Sequence, residues 1–123
     1  EVIFEEGSGL SRNNLTTHNA TVTLLRFMDR HKDAQVYLDA LPIAGIDGTL
    51  RNRMKGTAAS GNVRAKTGTL RWANSISGYV TTAAGERLVF SLMVNRFYEA
   101  RSVRGDLDTV LVLLAGFAGR TSE

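Results

Sequence analysis

Between Asn62 and Asn95 the chain leaves helical spacing and turns to period two three times in succession, at Asn62–Leu70, Asn74–Thr82 and Arg87–Asn95. Successive side chains of a strand point to opposite faces, and strands joined by short connections pair antiparallel. In the middle run Ile76, Gly78 and Val80 face one way, and Ser75, Ser77, Tyr79 and Thr81 the other. Ala83-Ala84-Gly85-Glu86 reads as the hairpin turn into the third run. Leu88 to Val94 is nearly continuous in apolar residues, the pattern of a strand covered on both faces.

Helical patterns flank this sheet. Asn13 or Asn14 is expected to cap a helix running to about His31, because a short polar side chain accepts its first free amides. Val22, Leu25 and Met28, with Leu24 and Phe27 beside them, would form its buried stripe. Arg30, His31 and Lys32 would complement the negative end of its dipole. Asp33 is expected to cap a short second helix that Pro42 ends. Asp47 would cap a third, running to about Met54 with Gly56 as its stop, and 57–61 reads as a loop. After the strands, Val103, Leu107, Val110, Leu111, Leu114, Phe117 and Ala118 share one face of a last helix. Helices, then three consecutive antiparallel strands, then a covering helix predict an α+β fold.

At 123 residues the chain suffices for one domain. It has no cysteine, which excludes a disulfide framework and thiolate metal sites. The longest apolar run, Val110 to Gly119, is far below the ~20 residues of a membrane span. The formal charge is +3, but Arg26, Arg51, Arg53, Arg64, Arg71, Arg87 and Arg96 are scattered, with little aromatic interleaving. That pattern argues against a nucleic-acid partner, and Arg51 and Arg53 read as a solvated helix face. His18 and His31 have no carboxylate or cysteine at ligand spacing, so no metal or other cofactor is expected. Asp47-Gly48-Thr49 lacks the features of a calcium or phosphate loop, and Gly7-Ser8-Gly9 lacks the spacing of a nucleophile elbow. Opening on Glu1-Val2-Ile3-Phe4, an extended lead-in without an initiator methionine, the chain reads as a piece of a longer polypeptide or a processed product.

Two short stretches carry chemistry. In Lys66-Thr67-Gly68-Thr69, a strand lysine stands beside a residue with no side chain. Together they can offer a positive charge and an open backbone edge to an extended anionic ligand. In Ser11-Arg12-Asn13, a turn can aim a hydroxyl and an amide into the same cleft. Each has a plainer reading: capping for Ser11 and Asn13, strand preference for Thr67 and Thr69, and a water-facing lysine at 66. Arg12 is expected to pair with Glu5 or Glu6.

Three blocks then occur in series. They are Gly7-Ser8-Gly9-Leu10-Ser11-Arg12-Asn13-Asn14-Leu15; Leu41-Pro42-Ile43-Ala44-Gly45-Ile46-Asp47-Gly48-Thr49-Leu50; and Val63 to Leu70 followed by Ser77-Gly78-Tyr79-Val80. From about Glu6 to Asn95 the chain resembles the carboxy-terminal part of the S13 peptidases. These are class C type, low-molecular-mass penicillin-binding proteins, D-alanyl-D-alanine carboxypeptidase/endopeptidases with a β-lactamase/DD-peptidase-like fold. Glu6 stands where Asp or another residue would be expected before the Gly-Ser-Gly turn, a minor departure. The resemblance implies that residues 1–123 are the carboxy-terminal part of a single D,D-peptidase domain. It implies a serine acyl-transfer enzyme of the periplasm or another extracytoplasmic site, acting on peptidoglycan stem peptides and acylated by β-lactams.

By the same resemblance, Ser11 is a candidate proton shuttle, and Asn13 would hold a substrate carbonyl. Lys66 would lend charge and hydrogen-bond Ser11. Thr67 and Thr69 would contact the substrate carboxylate, Gly68 would admit its backbone, and the Thr69 N–H would form half of an oxyanion hole. The nucleophile belongs to a Ser-x-x-Lys pair. No serine here is followed by lysine at that spacing, so the nucleophile is expected upstream and the chain alone inactive. A serine β-lactamase and a non-catalytic peptidoglycan-binding module of the same fold are the alternatives. Apolar surface left bare by the missing amino-terminal part is expected to be met by that part or by self-association.

Overall fold

The structure, a computed structural model, describes residues 2–96 and 100–121. Its elements are α1 (His18–Asp29), α2 (Ala34–Asp39), a 3-10 turn (Gly48–Leu50), β1 (Arg64–Leu70), β2 (Ala73–Thr81), β3 (Arg87–Asn95) and α3 (Ala100–Gly116). The strands form one antiparallel sheet in the order β1-β2-β3. A two-residue connection, with Trp72 in the left-handed region at φ 65°, joins β1 to β2. The turn after β2 closes through the Thr82 N–H to Glu86 O at 2.8 Å and Gly85 N–H to Thr82 O at 2.9 Å. The α+β expectation and its order of elements hold.

Both faces of the sheet are covered. Ala65, Ile76, Val80 and Phe90 pack with Leu107, Leu111 and Ala115 of α3 and with Leu50, Met54 and Val63 from the segment before β1. On the other face Tyr79 meets Leu25 of α1 and Leu41, with Tyr37, Leu38 and Val89 around them. The Tyr79 hydroxyl donates to Leu25 O at 2.6 Å, fastening α1 to the central strand. Val110, expected inside, is exposed, while Ala115 and Val112 turn inward. No helix among the described residues is long and apolar enough to cross a membrane.

Three local expectations are corrected. Helix α1 is capped by Thr17, whose hydroxyl accepts the Ala20 N–H at 3.1 Å, and not by Asn13 or Asn14. Both asparagine side chains are engaged by Glu5 and Glu6 instead. The expected third helix is a single 3-10 turn. Gly48 at φ 53° and Met54 at φ 59° leave the right-handed region, and the Asp47 carboxylate turns back to accept the Ile43 N–H at 2.7 Å. Arg53 is not solvated: its guanidinium grips Asp108 of α3, with Nη2 to Oδ1 at 2.6 Å and Nε to Oδ1 at 3.1 Å.

Candidate active site

Strand β1 is an edge, and only its first residues have an outer neighbour. Ala44 N–H donates to Val63 O at 2.9 Å and Ala65 N–H to Pro42 O at 3.0 Å, so residues 42–44 run beside the start of the strand. Because backbone direction alternates along a strand, Thr67 and Thr69 aim their N–H and C=O groups the way Ala65 does, away from β2. Beyond Ala65 no backbone group among the described residues pairs with that side. The side chain of Lys66 leaves the strand on the face shared with α1, opposite Ser77 in register, and is exposed. Its ammonium folds onto the bare edge and donates to Thr67 O at 2.6 Å.

The two threonine side chains lie on the other face. Thr67 Oγ1 donates to Thr49 Oγ1 at 3.0 Å, and Thr69 Oγ1 donates to Asn74 Oδ1 at 3.1 Å. Asn74 is buried, and its Nδ2 has no partner among the described residues. Between the threonines, a Cβ built on Gly68 would stand 2.5 Å from Ser75 Oγ, so the glycine keeps the strand open there. Thr49, Asn74 and Ser75 were not anticipated. Asn74 could have been found by counting back across the hairpin from Thr69; Thr49 carries no local signal.

The Ser11 loop is held by a different chemistry. Ile3 and Leu15 exchange two backbone bonds of 2.8 Å each, closing the loop between them. Inside it, the Glu5 carboxylate accepts from the Ser11 hydroxyl and from Asn13 Nδ2 at 2.9 Å. Glu6 accepts from the Ser8 amide, from Ser11 N–H at 3.0 Å and from Asn14 Nδ2 at 2.9 Å. These donors favour the ionised carboxylates. Ser11 foremost, then Asn13, lowers the Glu5 pKa, and Ser8 foremost, then the Ser11 amide, brings Glu6 down to about 2.

A carboxylate with a depressed folded pKa stabilises the loop above its unfolded value of 4.5 and stops doing so as pH falls through the folded value. The Ser8 and Ser11 amide resonances are therefore expected to hold through pH 4 and to titrate near pH 2. A midpoint near 4.5 would contradict the bonding described.

Ser11 lines a cavity of about 390 Å³ together with Gly68, Thr69, Asn74 and Ser75. Asn13 and Lys66 do not line it, and no hydrogen bond among the described residues joins Lys66 to Ser11 or Asn13. The expected Lys66–Ser11 bond is thus replaced by two others, each group taking a nearer oxygen. Arg12 does not pair with Glu5 or Glu6 either. Its Nη2 reaches across to Arg71 O at 3.1 Å, linking the loop to the β1–β2 turn beside Trp72. Among the described residues there is no group of three His, Cys, Asp or Glu side chains able to hold a metal.

Comparison with known proteins adds the relatives. Residues 1–115 match the D-Ala-D-Ala carboxypeptidase 3 (S13) family. A D-alanyl-D-alanine carboxypeptidase of an Actinomadura species is 42% identical over 123 residues, covering 96% of this chain and 22% of that protein. Penicillin binding protein 4 of Haemophilus influenzae superposes with a TM-score of 0.77 at 30% identity, over 90% of this chain and 27% of the other. The same protein complexed with a novel β-lactam gives the same TM-score at 28% identity, over 90% of this chain and 29% of the other. A predatory endopeptidase of Bdellovibrio bacteriovorus, solved with an immunity protein, superposes at 0.73 with 25% identity, over 92% of this chain and 32% of the other. The chain spans about a fifth of the length of the curated relatives it matches.

Proposed function

The chain belongs to the D-Ala-D-Ala carboxypeptidase 3 (S13) family, and from that membership we propose that the whole protein is a serine-type D-Ala-D-Ala carboxypeptidase/endopeptidase. It acts on peptidoglycan stem peptides outside the cytoplasmic membrane, through an acyl-enzyme that β-lactams also form. The observation that carries this reading is the bare outer edge of β1, with the Thr67 and Thr69 amides directed outward on either side of Gly68. An extended peptide ending in D-Ala-D-Ala can lie along such an edge, taking backbone bonds as an added strand does. The Thr69 N–H is then one donor of the oxyanion hole, and the Thr67 and Thr69 hydroxyls, braced by Thr49 and Asn74, stand near the terminal carboxylate. Lys66 supplies positive charge once it leaves Thr67 O.

Covalent chemistry needs the Ser-x-x-Lys pair, which the 123 residues lack. In this reading the nucleophile comes from residues outside this chain, and residues 1–123 alone form no acyl-enzyme. The remainder of the domain completes the cleft and leaves the outer edge of β1 open to the peptide. Fluorescent penicillin should label the whole protein stoichiometrically and leave the isolated chain unlabelled. Rapid, repeated nitrocefin turnover would make the protein a serine β-lactamase instead. Failure of the whole protein to label at all, with peptidoglycan still bound, would leave a recognition module.

For Ser11 and Asn13 the bonds to Glu5 support a bracing role beside the proton-shuttle and carbonyl-holding roles. Alanine at each position separates them. A brace predicts that Ser11→Ala and Asn13→Ala lower the thermal midpoint and change labelling less than about tenfold. A direct role predicts a loss on the order of 10²-fold with stability kept. The hydrogen bonds favour the first outcome.

A further inference from the structure

Asn74 braces Thr69 at a cost to itself. It stands second in β2, between Thr69 of β1 and Val94 of β3, and is 5% exposed. Its Oδ1 accepts the Thr69 hydroxyl at 3.1 Å, while its Nδ2 is buried with no hydrogen-bond partner among the described residues. Val94 has no polar side chain to offer from the other strand. The rest of the domain cannot supply a partner either, because Nδ2 is already sealed by atoms of this chain. A buried donor left unpaired carries its full desolvation penalty, so this one calls for a physical reason.

The bond also puts the Thr69 proton in the wrong place for a carboxylate. A hydroxyl carries one proton. Given to Asn74 Oδ1, it leaves Thr69 with only lone pairs to present to a ligand anion, and two acceptors repel. Thr67 has no such difficulty: its partner is the Thr49 hydroxyl at 3.0 Å, and that bond reverses by rotating protons alone. For Thr69, reversal needs a half-turn of the Asn74 amide, whose oxygen and nitrogen ends have nearly the same shape and whose last torsion is two-fold. The half-turn brings Nδ2 against Thr69 Oγ1. A separation of 3.1 Å is long for O–H···O and ordinary for N–H···O. Oδ1 then becomes the unpaired atom, and an under-satisfied carbonyl is tolerated better than an orphaned N–H.

We propose that Asn74 is a positioning residue that sets the polarity of the Thr69 hydroxyl. With a ligand bound, Nδ2 donates to Thr69 Oγ1, and Thr69 donates its own proton to the ligand's terminal carboxylate. The inference rests on the peptidase reading and adds to it a preference for a free carboxylate over a blocked terminus. An ionised acceptor gains more from a directed proton than a neutral carboxamide does, and a carboxamide can also donate to a Thr69 lone pair.

Kinetics of the whole protein test this with two extended peptides ending in D-Ala-D-Ala, one with a free carboxylate and one with a carboxamide. Asn74→Leu keeps the shape and removes both amide groups, so its thermal midpoint should hold or rise. Its KM for the free carboxylate should rise about tenfold with kcat far less affected, and its KM for the carboxamide should change by less than about twofold. Thr69→Val should show the same selective loss, and adding Asn74→Leu to it should cost nothing further.

Additive losses overturn the proposal. A lowered thermal midpoint with kcat lost equally for both peptides also overturns it, leaving a plain structural brace. Should Asn74→Leu not fold, asparagine labelled in its side-chain nitrogen reads the same point by magnetic resonance. Acylation by benzylpenicillin, itself a carboxylate, should shift a side-chain amide resonance of the unsubstituted protein that stays put in Thr69→Val, and absence of such a resonance overturns the proposal. Hydrolysis of neither peptide by the unsubstituted protein sinks the peptidase reading along with this one. Hydrolysis with a preference that Asn74→Leu leaves unmoved sinks this one alone.

Discussion

A Gly78→Ala protein is expected to lose about 3 kcal/mol or more of folding stability and to lose the candidate ligand edge with it. Gly78 sits on the central strand opposite Ala65. A Cβ built there would lie 2.1 Å from Arg64 O, 2.7 Å from Ala65 Cα and 2.8 Å from Ala65 Cβ. The first two are backbone atoms of the neighbouring strand, which no rotamer change can move aside. Nor can β1 retreat freely at that point. Ile43 bridges Arg64 from the outer side, and Ala65 N–H is already committed to Pro42 O. Relief requires β1 to part from β2, which breaks the ladder that runs from Arg64–Tyr79 to Leu70–Ala73.

Gly68, on the neighbouring strand β1, is the control. Its added Cβ meets only the Ser75 hydroxyl, at 2.5 Å, and that group can rotate away at a cost of about 1 kcal/mol or less. Urea midpoints should therefore fall far more for Gly78→Ala than for Gly68→Ala. Equal falls would show that the close approach at Gly78 is not what fixes the glycine.

What local sequence could and could not show follows from how far apart the interacting groups lie. The third strand was legible to the residue and the other two within two residues, because period two is written in neighbouring positions. The start of α1 was misplaced by several residues because Glu5 and Glu6 take the Asn13 and Asn14 side chains from eight positions away. Asp47 has the chemistry of a helix cap, but its carboxylate folds back to Ile43. Arg53 looked solvated because Asp108 is 55 residues distant.

The site divides the same way. Lys66 to Thr69 is legible as an exposed charge beside an open glycine, whereas the outward direction of the Thr67 and Thr69 amides follows from the β1–β2 register, with the bond from Ala65 to Pro42 marking the outer side. Ser11 and Asn13 have one chemistry for capping, bracing or catalysis, and only their bonds to Glu5 favour the brace.

Replacing Lys66 is expected to produce the largest functional loss. Its side chain is exposed, and its one hydrogen bond, 2.6 Å to Thr67 O, falls on the outer edge where a ligand backbone would pair. An incoming strand must displace the ammonium from that carbonyl, and a ligand carboxylate offers it a stronger partner, since opposite charge adds Coulomb attraction to the hydrogen bond. In the proposed reading the lysine shields the empty edge and turns to the anion when a ligand fills it. Because the side chain is exposed, Lys66→Ala should alter stability by no more than about 0.5 kcal/mol.

Penicillin labelling of the whole protein, by contrast, should slow on the order of 10²–10³-fold, the scale of losing one donor that faces developing or bound negative charge. Lys66→Arg keeps the charge but spreads it over a planar fork that cannot fold onto Thr67 O in the same way, so it should recover only part of the rate. Labelling of Lys66→Ala at the unsubstituted rate, with the fold intact, would remove the lysine from the site and leave the β1 edge as a backbone-only binding strand.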